Sequence, residues 1–227
     1  MTGVGAIVAR LERVGREVYA GIADLRTQVV ADLAGAPRRT SDLRLESLVR
    51  DQLARPNAAV VGAGFVACPG VLSDQRYWLE WWTVRLGHSG RSAARLTVQS
   101  DPDAADFRDY TVLPWFAGPA ASGSRSLVGP YVDYLCTDEY TLTFTEPVYS
   151  GVEFLGVVGA DVYVDWLDRH LAADLDRLGA PVVIANAHGR VVTAYQTDLL
   201  PGDLVRTSDG RWRVAECDGL PLAVLSC

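Results

Sequence analysis

The sequence predicts an α+β protein: a long amino-terminal helix, a module built on an antiparallel sheet, and a smaller sheet lobe at the carboxyl end. Three observations carry this. Val4, Ile7, Leu11, Val14, Val18, Ile22, Leu25, Val29 and Leu33 recur at alternating steps of three and four, the signature of one apolar helical stripe. After Asn57 the texture changes to short β-branched and aromatic runs separated by turns. The last fifty residues then read as strand–turn–strand twice, around His188–Gly189 and Asp218–Gly219. The corresponding segments are 1–54, 55–165 and 166–227, and 227 residues suit one large domain or two small ones.

The first helix runs over residues 4 to 34, with Arg10, Glu12, Arg13, Arg16, Glu17 and Asp24 largely off the stripe. At about 1.5 Å per residue it is roughly 45 Å long, which suits either a helix lying along its own domain or one pairing with its copy in a homodimer. Gly35, Ala36 and Pro37 end it. Thr40 or Ser41 then caps a second helix through Ala54, which Pro56 and Asn57 terminate. Strands are expected at 59–67, 76–86, 94–100, 141–149 and 152–164, the last two joined by a turn at Ser150–Gly151. Alternation in RYWLEWWTVRL sets Trp78, Glu80 and Trp82 on one face and Tyr77, Leu79, Trp81 and Thr83 on the other; tryptophans on both faces call for cover on both. PWFAG and the Gly-Pro-rich run after it read as a loop. An amphipathic helix over 166–179 ends at a glycine. Strand–turn–strand over 181–195 echoes 59–84 and points to two related lobes.

Composition excludes several functions. The net charge is −7 and no basic stripe is present, which argues against nucleic acid. The chain contains no lysine, so Schiff-base chemistry, a lysine general base and a phosphate-gripping lysine loop are ruled out. Cys68, Cys136, Cys217 and Cys227 lie far apart with no CxxC pair, which reads as reduced thiols and neither a metal site nor a disulfide framework. Arginine and glutamate interrupt every amino-terminal window before a signal-peptide core or membrane span could form. The reading is a cytoplasmic protein free of the membrane.

The chemistry concentrates between Asp109 and Asp161. Tyr110, Trp115, Phe116, Tyr131, Asp133 and Asp161 bring aromatic faces and two carboxylates into one stretch, the materials of a cage for a cationic amine. Asp161 falls inside an apolar strand, where an unpaired carboxylate costs several kcal/mol, so an arginine, backbone amides or a bound cation must compensate it. Tyr131 and Asp133 are two apart in a strand-like run and project from one face.

PWF at 114–116, GPYVD at 129–133 and EPVYSGVEFLGVVGADVYV at 146–164 resemble the Cache sensor domains of bacterial chemoreceptors and histidine kinases, over residues 107–165. The resemblance implies a PAS-like fold with a long first helix and a sheet-lined pocket. It also implies ligand contacts from Trp115, Tyr131, Asp133 and Asp161, with both aspartates holding an amino group. Phe116 stands where the family often has tyrosine, and Tyr110 is offset by two from the family's tyrosine. Leu113 replaces the arginine that pairs with a ligand carboxylate, so the resemblance implies an amine lacking an α-carboxylate.

The functional expectation is a sensor or regulatory domain, not an enzyme, with a small-molecule amine or amino-acid-like ligand, no cofactor and no metal. It reports to a separate downstream protein. The alternatives are an adaptor with a vestigial pocket whose first helix does the binding, and, with less support, an acid–base enzyme using Asp133 and Asp161.

Overall fold

The stripe on the first helix dictates what must lie beside it. In the computed structural model, which describes residues 3–55, 57–87, 90–132, 139–206 and 210–227, helix α1 spans Val4–Asp32. Ile7, Leu11, Val14, Val18, Ile22, Leu25 and Val29 are all buried by the chain itself. The outer side carries Arg13–Glu17 and Arg16–Glu12 pairs at i,i+4 spacing. The stripe is therefore used within the chain and is not left for a partner helix.

The chain divides into two compact units: residues 1–17, 129–142 and 162–227 form the first, and 18–128 with 143–161 the second. The remaining helices are α2 (Glu46–Ala54), α3 (Pro114–Ser122) and α4 (Val164–Leu178). A six-stranded sheet has the order β3-β2-β1-β6-β5-β4, with β1 Val60–Ala67, β2 Leu79–Gly87, β3 Gly90–Arg95, β4 Ser126–Val132, β5 Tyr140–Ser150 and β6 Glu153–Tyr163. A four-stranded sheet has the order β8-β7-β10-β9, with β7 Val182–Asn186, β8 Val191–Tyr195, β9 Arg213–Glu216 and β10 Leu222–Ser226. The architecture is the α+β arrangement expected from the sequence.

In the second unit, β1 and β2 pair antiparallel with Gly64 opposite Trp81 and Phe65 opposite Glu80. Alternation puts Phe65, Glu80 and Trp82 on the face covered by α2. The second half of α1 meets β5, with the Tyr19 ring edge-on to Phe144 at 5.3 Å and Arg26 pairing with Glu146 at 3.3 Å. On the α2 face Glu80 accepts from Trp78 Nε1 and from Arg95, which closes a buried carboxylate among aromatic and cationic groups. Val66, Trp81 and Val157 belong to the opposite face, where Tyr110 and Phe116 cover them. Both faces of β2 are thus covered, as its adjacent tryptophans require.

In the first unit, α4 packs on β8, and Leu167, Leu171 and Leu175 are buried. The other side of the small sheet is filled by Trp212 and Val205, packed with Val183, Val191 and Leu225. The start of α1 is fixed there by Arg10 on Asp174 at 2.5 Å, and by Glu12, which accepts the Asp218 N–H at 2.8 Å. Cys68, Cys217 and Cys227 are free thiols, and Cys136 lies outside the described residues.

Several local expectations change. The second helix starts at Glu46; Thr40 opens only a short 3-10 turn, and its N–H and hydroxyl go to Asp74 instead of to a helix. β2 begins at Leu79, because residues 71–78 make a turn tied by Gly70 N–H to Arg76 O. The strand expected at 94–100 is β3, ending at Arg95. The run after Pro114 is helical: Pro114 suits the first turn, and Gly123 at φ 66° caps the end. Pro119, read as a loop former, is tolerated inside this short helix.

Candidate functional site

The site candidate is the α3-side face of the six-stranded sheet, within the second unit. Its floor is set by glycine. Gly62 on β1 and Gly159 on β6 put no side chain on this face, and both are buried. Trp81 lies across them. A Cβ on Gly62 would sit 2.9 Å from Trp81 Nε1 and 3.0 Å from Asp161 Oδ2. A Cβ on Gly159 would meet Thr145 Cγ2 at 2.9 Å and Trp81 Cη2 at 3.3 Å. The indole therefore spans from the Asp161 carboxylate to the Thr145 side chain, in space that only glycine leaves open.

Asp161 is 6% exposed, and Thr143 Oγ1 donates to its Oδ1 at 2.7 Å. Thr143 and Thr145 project from one face of β5 while Phe144 projects from the other. Thr145 is 1% exposed, and its hydroxyl has no hydrogen-bond partner among the described residues.

Trp81 continues into the aromatic cluster with Tyr110 and Phe116. The Phe116 ring contacts Tyr110 at 5.3 Å, Phe154 at 5.8 Å and Trp115 at 6.3 Å between centroids. Trp115 is half-buried at the edge of the cluster. The Tyr110 hydroxyl is already committed: it donates to Ala67 O at 2.7 Å and accepts the Trp78 N–H at 3.2 Å. Burial raises its pKa well above the ordinary phenol range, so it remains a donor throughout the accessible pH range. Burial, reinforced by Glu153, likewise raises the Cys68 thiol at the cluster edge.

Tyr110, Trp115 and Phe116 thus come together in one cluster, and Asp161 lies on the same sheet face, linked to them by Trp81. Leu113 is the N-cap residue of α3 and packs on the same aromatics. Tyr131 is half-buried on β4, in the first unit. Asp133 lies outside the described residues. The sequence reading passed over Trp81, Thr143, Thr145 and the two glycines. Their signal was present as alternation: glycine at 62 and 64, and threonine at 141, 143 and 145.

A long first helix, a six-stranded antiparallel sheet and a smaller four-stranded sheet make an α+β fold that matches solved Cache-like sensor domains. Among solved structures, the extracellular domain of the histidine kinase soHK1S-Z6 superposes with a TM-score of 0.64 at 17% identity, over 97% of this chain and 88% of that one. The ligand-binding domain of Pseudomonas fluorescens chemoreceptor CtaA in complex with L-valine gives 0.61 at 16% identity, over 97% and 90%. The ligand-binding domain of the Pseudomonas aeruginosa amino acid chemoreceptor PctC in complex with GABA gives 0.55 at 14%, over 97% and 95%. No protein-family model and no curated protein sequence matches the chain.

These similarities overturn the cytoplasmic reading, because the domains that share the fold include extracellular portions of histidine kinases. Uninterrupted apolar sequence was the wrong criterion for location. Among the described residues no helix is long and apolar enough to cross a membrane, which describes this stretch of chain and not where it resides.

Proposed function

We propose that this chain is the ligand-recognition domain of a sensor and that it binds a small cationic amine lacking an α-carboxylate. The observation that carries the reading is Asp161: a carboxylate buried on a glycine-floored sheet face, oriented by Thr143 and flanked by the Trp81 indole. A carboxylate beside an aromatic face is a recognition pair for an ammonium, which meets the carboxylate through its N–H groups and the ring through its charge. The fold supports the sensing role, since the CtaA and PctC ligand-binding domains that share it are complexes with L-valine and GABA. Leu113 supports the narrower ligand class. It packs into the aromatic cluster where the resemblance places a carboxylate-binding arginine.

A sensor of this kind reports to a downstream protein. Should it act as a homodimer through α1, the contact must use the charged outer side carrying Arg13, Arg16 and Glu17, because the apolar stripe is already buried.

The test is a thermal-shift screen of the purified protein against amines, amino acids and simple carboxylates, repeated on Asp161→Asn. A ligand selective for the folded state stabilises it by about 2.7 kcal/mol at a hundredfold excess over its Kd. Shifts with amines alone, lost in Asp161→Asn, are the expected result. Equal shifts with amino acids refute the ligand class, and no shift in the whole panel refutes the binding role.

A further inference from the structure

We infer that the β1–β2 connection, residues 68–78, is a strap joining the aromatic cluster to the carboxyl end of α1. The Tyr110 hydroxyl is the wedge at its neck, so that displacement of the Tyr110 ring is felt at that helix end. The inference rests on reading this sheet face as the ligand site. Its test uses no ligand, so the strap and the amine reading fail separately.

Antiparallel neighbours can be joined by two residues, so the long stretch between Ala67 and Leu79 needs something to hold it. At its neck the ladder is altered in one bond. Val66 faces Leu79, so Ala67 and Trp78 are the next pair, and the Ala67 N–H donates to Trp78 O at 3.0 Å. Such a pair ordinarily returns a second bond, from the Trp78 N–H to Ala67 O. Here a phenol is inserted into it. The Trp78 N–H donates to the Tyr110 oxygen at 3.2 Å, and the hydroxyl donates onward to Ala67 O at 2.7 Å. The same ring stands 5.8 Å from Tyr77 in the strap and 5.3 Å from Phe116 in the cluster, between centroids. The neck thus has two arrangements, one with the hydroxyl between the strand ends and one with them bonded directly. The position of one cluster ring selects between them.

The strap transmits because it is stiff and is fastened at its far end. Gly70 N–H donates to Arg76 O at 2.9 Å and Val71 N–H to Cys68 O at 3.1 Å, while Leu72, its one buried side chain, seats it on the body. At the tip, Ser73 gives both its N–H and its hydroxyl to Arg38 O, each at 2.8 Å. The next residue, Asp74, accepts the Thr40 N–H at 3.0 Å and the Thr40 hydroxyl at 2.8 Å. Arg38 carries the link to the helix. Its Nε donates at 2.9 Å to Leu33 O, in the turn that closes α1, where helix carbonyls lack partners of their own. Its Nη1 pairs with Glu153 on β6 at 2.9 Å, which braces the same arginine against the sheet. Every one of these residues belongs to the second unit.

The experiment compares backbone amide NMR shifts of wild type, Tyr110→Phe and Asp74→Ala. Tyr110→Phe keeps the ring and removes the bridging oxygen, and Asp74→Ala cuts the exposed tip from Thr40. Coupling through the strap is reciprocal. Tyr110→Phe should therefore move the Ser73, Thr40 and Leu33 amides by at least about twice the mean shift of the second unit, and Asp74→Ala should move the Trp78 amide by the same margin. Shifts report the native state, so a lower melting temperature in Tyr110→Phe does not mimic the effect. A Tyr110→Phe perturbation confined to the neighbours of Ala67 and Trp78 overturns the strap, and so does an Asp74→Ala spectrum in which Trp78 is unmoved. The Asp74→Ala result decides alone if Tyr110→Phe does not fold.

Discussion

At the scale of single residues, two groups that look alike in sequence do different work. Asp161 is a buried carboxylate that accepts from Thr143 at 2.7 Å; Tyr110 is a buried phenol whose oxygen is used twice by the backbone at Ala67 and Trp78. Removing the Asp161 charge with Asp161→Asn keeps volume and the Thr143 contact, so the fold should persist while amine affinity falls at least a hundredfold in a calorimetric titration. Tyr110→Phe should do the reverse. It strips partners from Ala67 O and the Trp78 N–H, and urea denaturation should show a loss of about 1–3 kcal/mol with ligand affinity within about threefold of wild type. A large affinity loss in Tyr110→Phe with unchanged stability would place that phenol at the ligand.

At the scale of elements, the floor of the site depends on strands that carry no side chain at chosen points. Gly62→Ala would place a methyl 2.9 Å from Trp81 Nε1 and 3.0 Å from Asp161 Oδ2, so both must move. Crowding of this kind costs about 1–3 kcal/mol, and amine binding should weaken along with the melting temperature. Much of this level was legible in the sequence. The first-helix stripe, the β5–β6 hairpin at Gly151, the α4 stop at Gly179 and the two small hairpins follow from periodicity and turn residues, which are local signals. What was missed depended on distant partners. Thr40 caps nothing because Asp74, far along the chain, claims its N–H and hydroxyl. The helix after Pro114 was hidden by Pro119 and glycines that punctuate loops elsewhere, and it is held by Phe116 and Pro119 facing a core. Asp161 stood out because its own neighbours are apolar. Trp81 did not, because its role depends on glycines in two other strands.

At the scale of the whole molecule, each unit has its own stabilising devices. In the first, Asp174 is buried, which opposes ionisation, but hydrogen bonds from Arg10 and Arg177 outweigh this and hold its carboxyl below the ordinary value of 3.8. A depressed carboxyl contributes stability that is complete above the unfolded value and is lost as the pH falls through the folded one. Denaturant unfolding of the wild type should therefore show stability declining as the pH drops below about 4, and Asp174→Asn should flatten that decline while lowering stability at pH 7. A slope unchanged in Asp174→Asn would assign the acid sensitivity to other carboxylates.

The Glu12 carboxylate, which accepts the Asp218 N–H across 206 residues of chain, has a consequence for how the protein is made. Gly15, in the same helix, is shaped to Leu220. Glu12 thus leaves the ribosome 206 residues ahead of the backbone N–H that it accepts. The second unit draws no residue from beyond Asp161, so a chain stalled at that point already holds all of it. Vectorial synthesis should thus mature the glycine-floored face while the amino-terminal turns still wait for their partners, and limited proteolysis of stalled nascent chains should find residues 18–161 protected before residues 4–17.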